Sequence, residues 1–215
     1  MKHLVSVLAL LVMGIAIAAP DAPLNQLTPQ EKAQGWKLLF DGKTLNGWEM
    51  YGNAKWDVVN DAMVPGGSGG GWPGTKDDYS NFQLRLEFRT NVPDINSGIY
   101  IRRGRIAGDS HTMGYEMQIR NPGPKDAPYK GGPDNHAGYY TGSFSGHLKS
   151  KNEPTIVMGK WHSVDLTANG DHFIVLIDGK PVLDDHHAEF KSGAIGFQGG
   201  RSANIEFRNI KIKTL

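Results

Sequence analysis

Between Phe82 and Arg89 the chain alternates without a fault. Phe82, Leu84, Leu86 and Phe88 fall on one parity, and Gln83, Arg85, Glu87 and Arg89 on the other. A period of two sends successive side chains to opposite faces of an extended strand, and a helix would scatter these apolar groups around its axis. One side of this segment therefore has to meet a core. Shorter runs of strand character recur over 36–40, 55–59, 161–168, 172–177, 180–183, 193–198 and 203–213. Asp178-Gly179, between two of them, is a strong two-residue hairpin signal. In the last run Ile205 and Phe207 share one parity while Ile210 and Ile212 share the other, so a β-bulge near Arg208-Asn209 is expected to restore a common face. Only Thr28 to Gln34 reads as a helix, with Thr28 as cap, Pro29 first and Glu31 third. Many short strands between Gly- and Pro-rich turns predict an all-β sandwich or jelly roll and argue against an α/β fold.

The first residues read as a targeting segment. Lys2 is a short basic start, Leu4 to Ile17 is apolar, and Ala16-Ile17-Ala18 supplies the small residues of a cleavage site. Residues 1–18 are thus expected to be a signal peptide, 19–34 a leader containing the short helix, and 35–215 a single domain. Asp21 to Leu27 is read as a loose leader. The apolar run is short for a bilayer and no later segment approaches its length, so the expectation is an exported, periplasmic or secreted protein without membrane insertion. The sequence has no cysteine, which leaves stability to a core rather than to disulfides. Without Lys2 the 23 basic residues become 22, equal to the 22 acidic ones. That balance speaks against a nucleic-acid partner, which asks for a basic stripe, and suits a small neutral ligand.

The chemically richest stretch runs from Asn96 to Arg120. Ile99 and Ile101 alternate with Gly98, Tyr100 and Arg102, and Tyr115, Met117 and Ile119 alternate with Glu116, Gln118 and Arg120. If both runs lie in one sheet, Tyr100, Arg102, Glu116, Gln118 and Arg120 share a polar face. An aromatic, a guanidinium, a carboxylate and an amide together suit the handling of a sugar. The insert over 121–153 is rich in Gly, Pro, His and Tyr and lacks apolar periodicity, and loops of that length usually carry function. Trp72, after a glycine run, could stack on a sugar ring or, as a loop tryptophan, fill a core edge.

An ordered set of motifs is similar to one family. Gly35-Trp36-Lys37-Leu38-Leu39-Phe40-Asp41-Gly42 through Gly47-Trp48 resembles the opening of the 3-keto-disaccharide hydrolase domain, formerly a domain of unknown function. So do Thr75-Lys76 with Tyr79, Asn96-Ser97-Gly98-Ile99-Tyr100-Ile101-Arg102, Gly114-Tyr115-Glu116-Met117-Gln118-Ile119 and Gly159-Lys160-Trp161. Gly196-Phe197-Gln198 and Ile205-Glu206-Phe207-Arg208-Asn209-Ile210 complete the set. The resemblance implies a concanavalin-like jelly roll, a β-sandwich whose concave sheet binds sugars. Two positions depart from the family. Gln198 is followed by Gly199-Gly200 where His-Gly is common, and Gly142 to Gly146 stands where a leucine-tyrosine pair is common. His136, Tyr139 or Tyr140 would then replace those side chains.

The implied substrate explains the shortage of acids. Ordinary glycosidases use two carboxylates, but here Glu116 is followed two residues later by an amide, Gln118. In a 3-keto sugar the ketone acidifies the neighbouring C2 hydrogen, so one base can start an elimination that expels the oxygen on C1, and water then adds to the alkene. Glu116 is the expected base or acid, with Arg102 and Lys76 as candidate enolate stabilisers. Tyr100, Gln118, Gln198, His136, Tyr139, Tyr140 and Trp72 are expected to contact the substrate, a tyrosine of the insert protonating the leaving oxygen. The bland alternatives are a cross-strand ion pair of Glu116 and Arg102 and a surface role for Lys76. No cofactor is certain. A divalent metal polarising the ketone is compatible with Asp134 and His136, whereas Asp184-Asp185-His186-His187 with Glu189 reads as a solvated turn. A non-catalytic sugar-binding module and a structural cell-envelope domain are the alternative functions on the same fold.

Overall fold

A computed structural model describes residues 23–67, 70–92, 95–105, 113–120, 140–199 and 205–215. The signal-peptide expectation and the proposed roles of Asp134, His136 and Tyr139 fall outside the described residues.

Two antiparallel sheets face each other. The larger has eight strands. Six of them run in the order β11 (Lys180–His186), β10 (His172–Ile177), β9 (Trp161–Asn169), β6 (Phe82–Thr90), β13 (Ile205–Thr214) and β4 (Ala62–Pro65). β3 (Trp56–Val59) closes that edge, and β1 (Lys37–Leu38) pairs with β13. The smaller sheet has five strands in the order β2 (Trp48–Gly52), β5 (Gly71–Thr75), β12 (Ala194–Gln198), β7 (Asn96–Arg103) and β8 (Tyr115–Arg120). This is the all-β sandwich expected from the alternating pattern.

The alternation of β6 does what its sequence requires: Phe82, Leu84, Leu86 and Phe88 are at most 2% exposed. They meet Ile99, Ile101, Tyr115, Met117, Ile119, Ile195 and Phe197 from the smaller sheet in one apolar cluster. Phe197 of β12 stacks on Phe207 of β13 with ring centroids 4.1 Å apart, which joins the two layers directly. Burying each such side chain contributes about 1.5–3 kcal/mol. The bulge in β13 is present: its register with β6 shifts between Arg208 and Lys211, Asn209 takes φ 53°, and Ile205, Phe207, Ile210 and Ile212 are all buried. The 178–179 turn has positive φ at both residues, the conformation Asp-Gly favours. α1 (Pro29–Ala33) carries the expected capping box between Thr28 and Glu31.

Three expectations need correction. Asp21 to Leu27 is not loose where it is described. Asn25 is 4% exposed and clamps the β13 bulge, its Oδ1 accepting from the Asn209 N–H at 2.8 Å while its own N–H donates to Asn209 Oδ1 at 2.6 Å. Trp72 stands on a strand, not a loop. β5 has the sequence Gly-Trp-Pro-Gly-Thr, whose glycines and proline hide its extended conformation from any periodicity reading. Asp184 to His186 belong to β11 rather than to a turn, held by His172–Asp184 and His186–Asp171 contacts of 2.7 and 3.1 Å.

Candidate functional site

The face of the smaller sheet turned away from the core carries most of the expected site residues that the structure describes. Strand pairing aligns Glu49, Gly74, Gly196, Tyr100 and Glu116 in one row across the sheet, from β2 to β8. Beside it, Gln198, Gly98 and Gln118 form a second row, with Trp72 paired to Tyr51 at the β2–β5 side. Each row gathers residues from far apart in sequence because paired residues of neighbouring strands share a face.

Glycines shape this face. A Cβ on Gly98 would lie 2.4 Å from Glu116 Oε1 and 2.6 Å from its Cγ, so the Glu116 side chain lies across the Gly98 backbone. Cβ atoms on Gly74 and Gly196 would lie 2.6 and 2.4 Å from the Trp72 ring, so the indole lies over those two residues. The Trp72 ring stacks on Tyr51 at 4.6 Å and meets Tyr100 edge-on at 5.6 Å. Tyr51 in turn donates to Glu49 Oε2 at 2.8 Å, and burial followed by that carboxylate raises its pKa above the ordinary phenol value.

The central groups are not a solvated surface. Tyr100, Glu116 and Gln118 are 1%, 4% and 5% exposed. A carboxylate and an amide at that depth require an organised polar environment. Gln118 has one: its Nε2 donates to Asn96 Oδ1 at 2.6 Å, and its Oε1 accepts from Ser145 Oγ at 2.6 Å. Ser145 comes from the segment 140–150, which is laid along β8 by Gln118 N–H to Ser143 O at 2.8 Å and Ser145 N–H to Glu116 O at 3.0 Å. Among the described residues, Gln198 Oε1 is buried on the same face without a hydrogen-bond partner, a cost the protein would recover by receiving a donor from a ligand.

The expected shared face holds for Tyr100, Glu116 and Gln118, but not for Arg102. The register of β7 against β12 shifts between the pairs Gly196–Tyr100 and Ala194–Arg103, which inserts one extra residue into β7. Arg102 takes φ 49° there. Its Nε donates to Ser80 O at 2.8 Å, its Nη1 to Gly170 O and Phe190 O at 2.8 and 3.0 Å, and its guanidinium sits 5.1 Å from the Phe173 ring centroid. Burial pulls its pKa below the ordinary arginine value. Arg102 thus ties three turn and loop carbonyls together and points away from Glu116's face. The bulge hands that face to Arg103, whose Cζ lies 3.9 Å from the Tyr100 ring centroid and 5.0 Å from that of Trp72. Alternation alone misses this exchange. The available signal was Gly114 and Gly193, since a Cβ on either would strike the backbone of Arg102 or Arg103 at 2.6 Å or less.

Lys76 follows β5, is exposed, and engages through its carbonyl, which accepts from Arg105 Nη2 at 2.6 Å. No described contact brings its amine to Glu116. Tyr140 is 38% exposed at the start of the segment that flanks β8. Trp72 is fully buried, so its faces are taken by Tyr51, Arg103 and the glycine backbone rather than offered to a ring.

Two antiparallel sheets packed on one core, with a polar face on the smaller, define a jelly-roll β-sandwich. The fold overlays a carbohydrate binding module, CBM66 from Bacillus subtilis, with TM-score 0.54 at 15% identity over 78% of this chain and 96% of that one. It overlays a protein from Parabacteroides distasonis named as a "putative glycosyl hydrolase" with TM-score 0.73 and 22% identity, covering 90% of this chain and 100% of that one. A second protein of that name and organism gives 0.63 at 27% identity, over 84% and 99% of the two chains. The family described as the 3-keto-alpha-glucoside-1,2-lyase-like domain matches residues 35–213, and the chain belongs to that family. A 3-keto-disaccharide hydrolase of Bacteroides thetaiotaomicron is 33% identical in an alignment 91 residues long that covers 37% of this chain. The match spans only 31% of that longer relative.

Proposed function

We propose that the protein is an exported enzyme that cleaves the glycosidic bond of 3-keto-glycosides or 3-keto-disaccharides with Glu116 as its base. Family membership supports the substrate class, and the name of the Bacteroides relative is consistent with it. The observation that carries the reading is the distribution of carboxylates on the outer face. The five strands place only Glu49 and Glu116 there, at opposite edges of one row. Four strand spacings separate them, about 19 Å between backbones. Paired glycosidase carboxylates stand about 5–9.5 Å apart, so these two do not form such a pair. A 3-keto substrate needs only one.

On this reading Glu116 removes the proton from C2, and the electron pair of that C–H bond enters the enolate of the C3 ketone. Collapse of the enolate forms the C1–C2 double bond as the C1–O bond breaks, and the departing oxygen takes a proton. Addition of water returns a proton to C2 and places hydroxyl on C1, giving net hydrolysis; release before that step gives a lyase product. Gln118, immobilised by Asn96 and Ser145, and Gln198, whose buried oxygen has no partner among the described residues, are suited to hold sugar hydroxyls. Arg103 brings positive charge to the face where the enolate develops, the role sequence alone gave to Arg102. Export rests on the N-terminal sequence pattern.

The test is release of a chromophore from a 3-keto-glucoside and from its unoxidised parent, with and without chelator. The expected outcome is release from the keto compound only, and a loss of at least about a hundred-fold in turnover for Glu116→Gln, the ordinary worth of a positioned base. Release from neither compound, with measurable sugar binding, would favour a binding module. Trp72, fully buried, gives that alternative little aromatic platform.

A further inference from the structure

Tyr115 and Glu116 are neighbours on β8 and point to opposite faces, and the Tyr115 side organises a second cluster. The Tyr115 hydroxyl accepts from the N–H groups of Glu189 and Phe190 at 2.9 and 3.1 Å, and donates to the His187 carbonyl at 3.1 Å. It also lies 3.1 Å from His187 Nδ1. One phenol thereby fixes the course of the chain after β11. In that segment His187 and Glu189 are two residues apart. A tight turn, closed by His147 N–H to Phe144 O at 2.9 Å, brings His147 against them from about forty residues earlier. The His147 and His187 rings are 4.8 Å apart, and His147 Nδ1 is 3.3 Å from Glu189 Oε2. One donor atom from each of the three residues lies within 4.8 Å of the others.

We propose that His147, His187 and Glu189 form a Zn2+ site, separate from the polar face that carries Glu116. Two imidazoles and a carboxylate are an ordinary zinc donor set, whereas Ca2+ and Mg2+ seek oxygen ligands. Tetrahedral zinc at about 2.0–2.1 Å from its ligands needs donors about 3.3 Å apart, the separation His147 and Glu189 already have. The remaining contraction requires small side-chain rotations. The Tyr115 hydroxyl holds the backbone of residues 187–190 in place, and the rings of Tyr115 and Phe190 wall the site at 5.2 and 5.9 Å from His147. Three protein ligands leave a fourth position for water. The ion would fasten the 140–150 segment to residues 187–189. The same segment carries Ser145, so the metal would stiffen the support of Gln118 without touching the outer face.

The inference is independent of the sugar chemistry, and its test does not read turnover. The purified protein is stripped with chelator and titrated with Zn2+ by calorimetry, and its melting is followed with Zn2+, Ca2+ or Mg2+ added. One equivalent of Zn2+ is expected to bind and to raise the melting temperature by several degrees, while Ca2+ and Mg2+ leave it unchanged. His147→Gln and His187→Gln are expected to weaken Zn2+ binding at least ten-fold. Should His187→Gln fail to fold, His147→Gln and Glu189→Gln, on a turn and an exposed position, decide the matter. Co2+ in place of Zn2+ should give the visible absorption of a tetrahedral site. No zinc binding, or unchanged affinity in His147→Gln, overturns the proposal. So does binding that is lost instead in His172→Gln/His186→Gln, whose rings stack on β10 and β11 at 4.4 Å.

Discussion

Gly98 shows how a residue without a side chain sets the position of one that matters. Glu116 occupies the space a Cβ at position 98 would take, with Oε1 only 2.4 Å from that point. The close approach fixes where the carboxylate stands on the sheet, between Gln118 and Gln198. Gly98→Ala should push the Glu116 side chain off this seat. Overpacking of this kind costs about 1–3 kcal/mol, which the sandwich can absorb. The expected result is a folded protein by circular dichroism, modestly less stable, whose turnover of a 3-keto-glucoside falls more than ten-fold. Wild-type turnover in Gly98→Ala would mean that the seat of Glu116 has no part in the chemistry. Glu116 and its amide neighbour were legible from alternation because both lie on a regular strand. Gly98 read only as a member of a polar parity, since its use depends on a side chain from the next strand.

At the scale of the element, the bulge in β7 decides which arginine belongs to which half of the molecule. Without it, strict alternation would send Arg102 to the outer face and Arg103 to the core. With it, Arg102 satisfies three backbone carbonyls, and Arg103 stacks on Tyr100. Lysine offers one point charge where those carbonyls need a planar fork. Arg102→Lys is therefore expected to cost about 2–4 kcal/mol through lost hydrogen bonds to a buried cation, read as a lower urea midpoint. An unchanged midpoint would show that Arg102 does not hold these loops. The β13 bulge was foreseeable because its two halves carry apolar residues on opposite parities. The β7 bulge was not, because Ile101 and Ile99 stay in phase and the extra residue is a second arginine.

Over the whole molecule, several carboxylates are held below their ordinary pKa. At Asp178 and Glu31 burial raises the pKa, but hydrogen bonds from His162 and Lys211 respectively, with neighbouring N–H groups, prevail and leave each lowered. Asp41 is lowered by the Thr44 and Lys43 N–H groups, Asp184 by His172, and Asp171 by His186. A depressed folded pKa contributes stability that is present above the unfolded value, about 4, and is lost as pH falls through the folded value. The protein should therefore hold its urea midpoint from pH 7 to about 5 as far as these groups are concerned, and lose stability below about pH 4. Asp178→Asn keeps a residue suited to the positive-φ turn and removes the carboxylate, so it should lower the midpoint at pH 7 and flatten part of the acid decline. Parallel acid limbs in the two proteins would remove Asp178 from the account.

The sequence by itself determined the all-β class, the inward face of β6, the capped helix, the 178–179 hairpin and the family motifs. Each depends on neighbours within a few residues, where periodicity and turn chemistry act. It also placed Tyr100, Glu116 and Gln118 on one face, because two regular strands suffice for that. Tertiary structure decided the rest. It put Glu49 and Glu116 at opposite edges of a five-strand row, laid Trp72 over glycines on two strands, exchanged Arg102 for Arg103, and brought His147 to His187 and Glu189. These are relations between segments distant in the chain. Strand order, register shifts and packing contacts set them, and none of the three leaves a periodic trace in the segments they join.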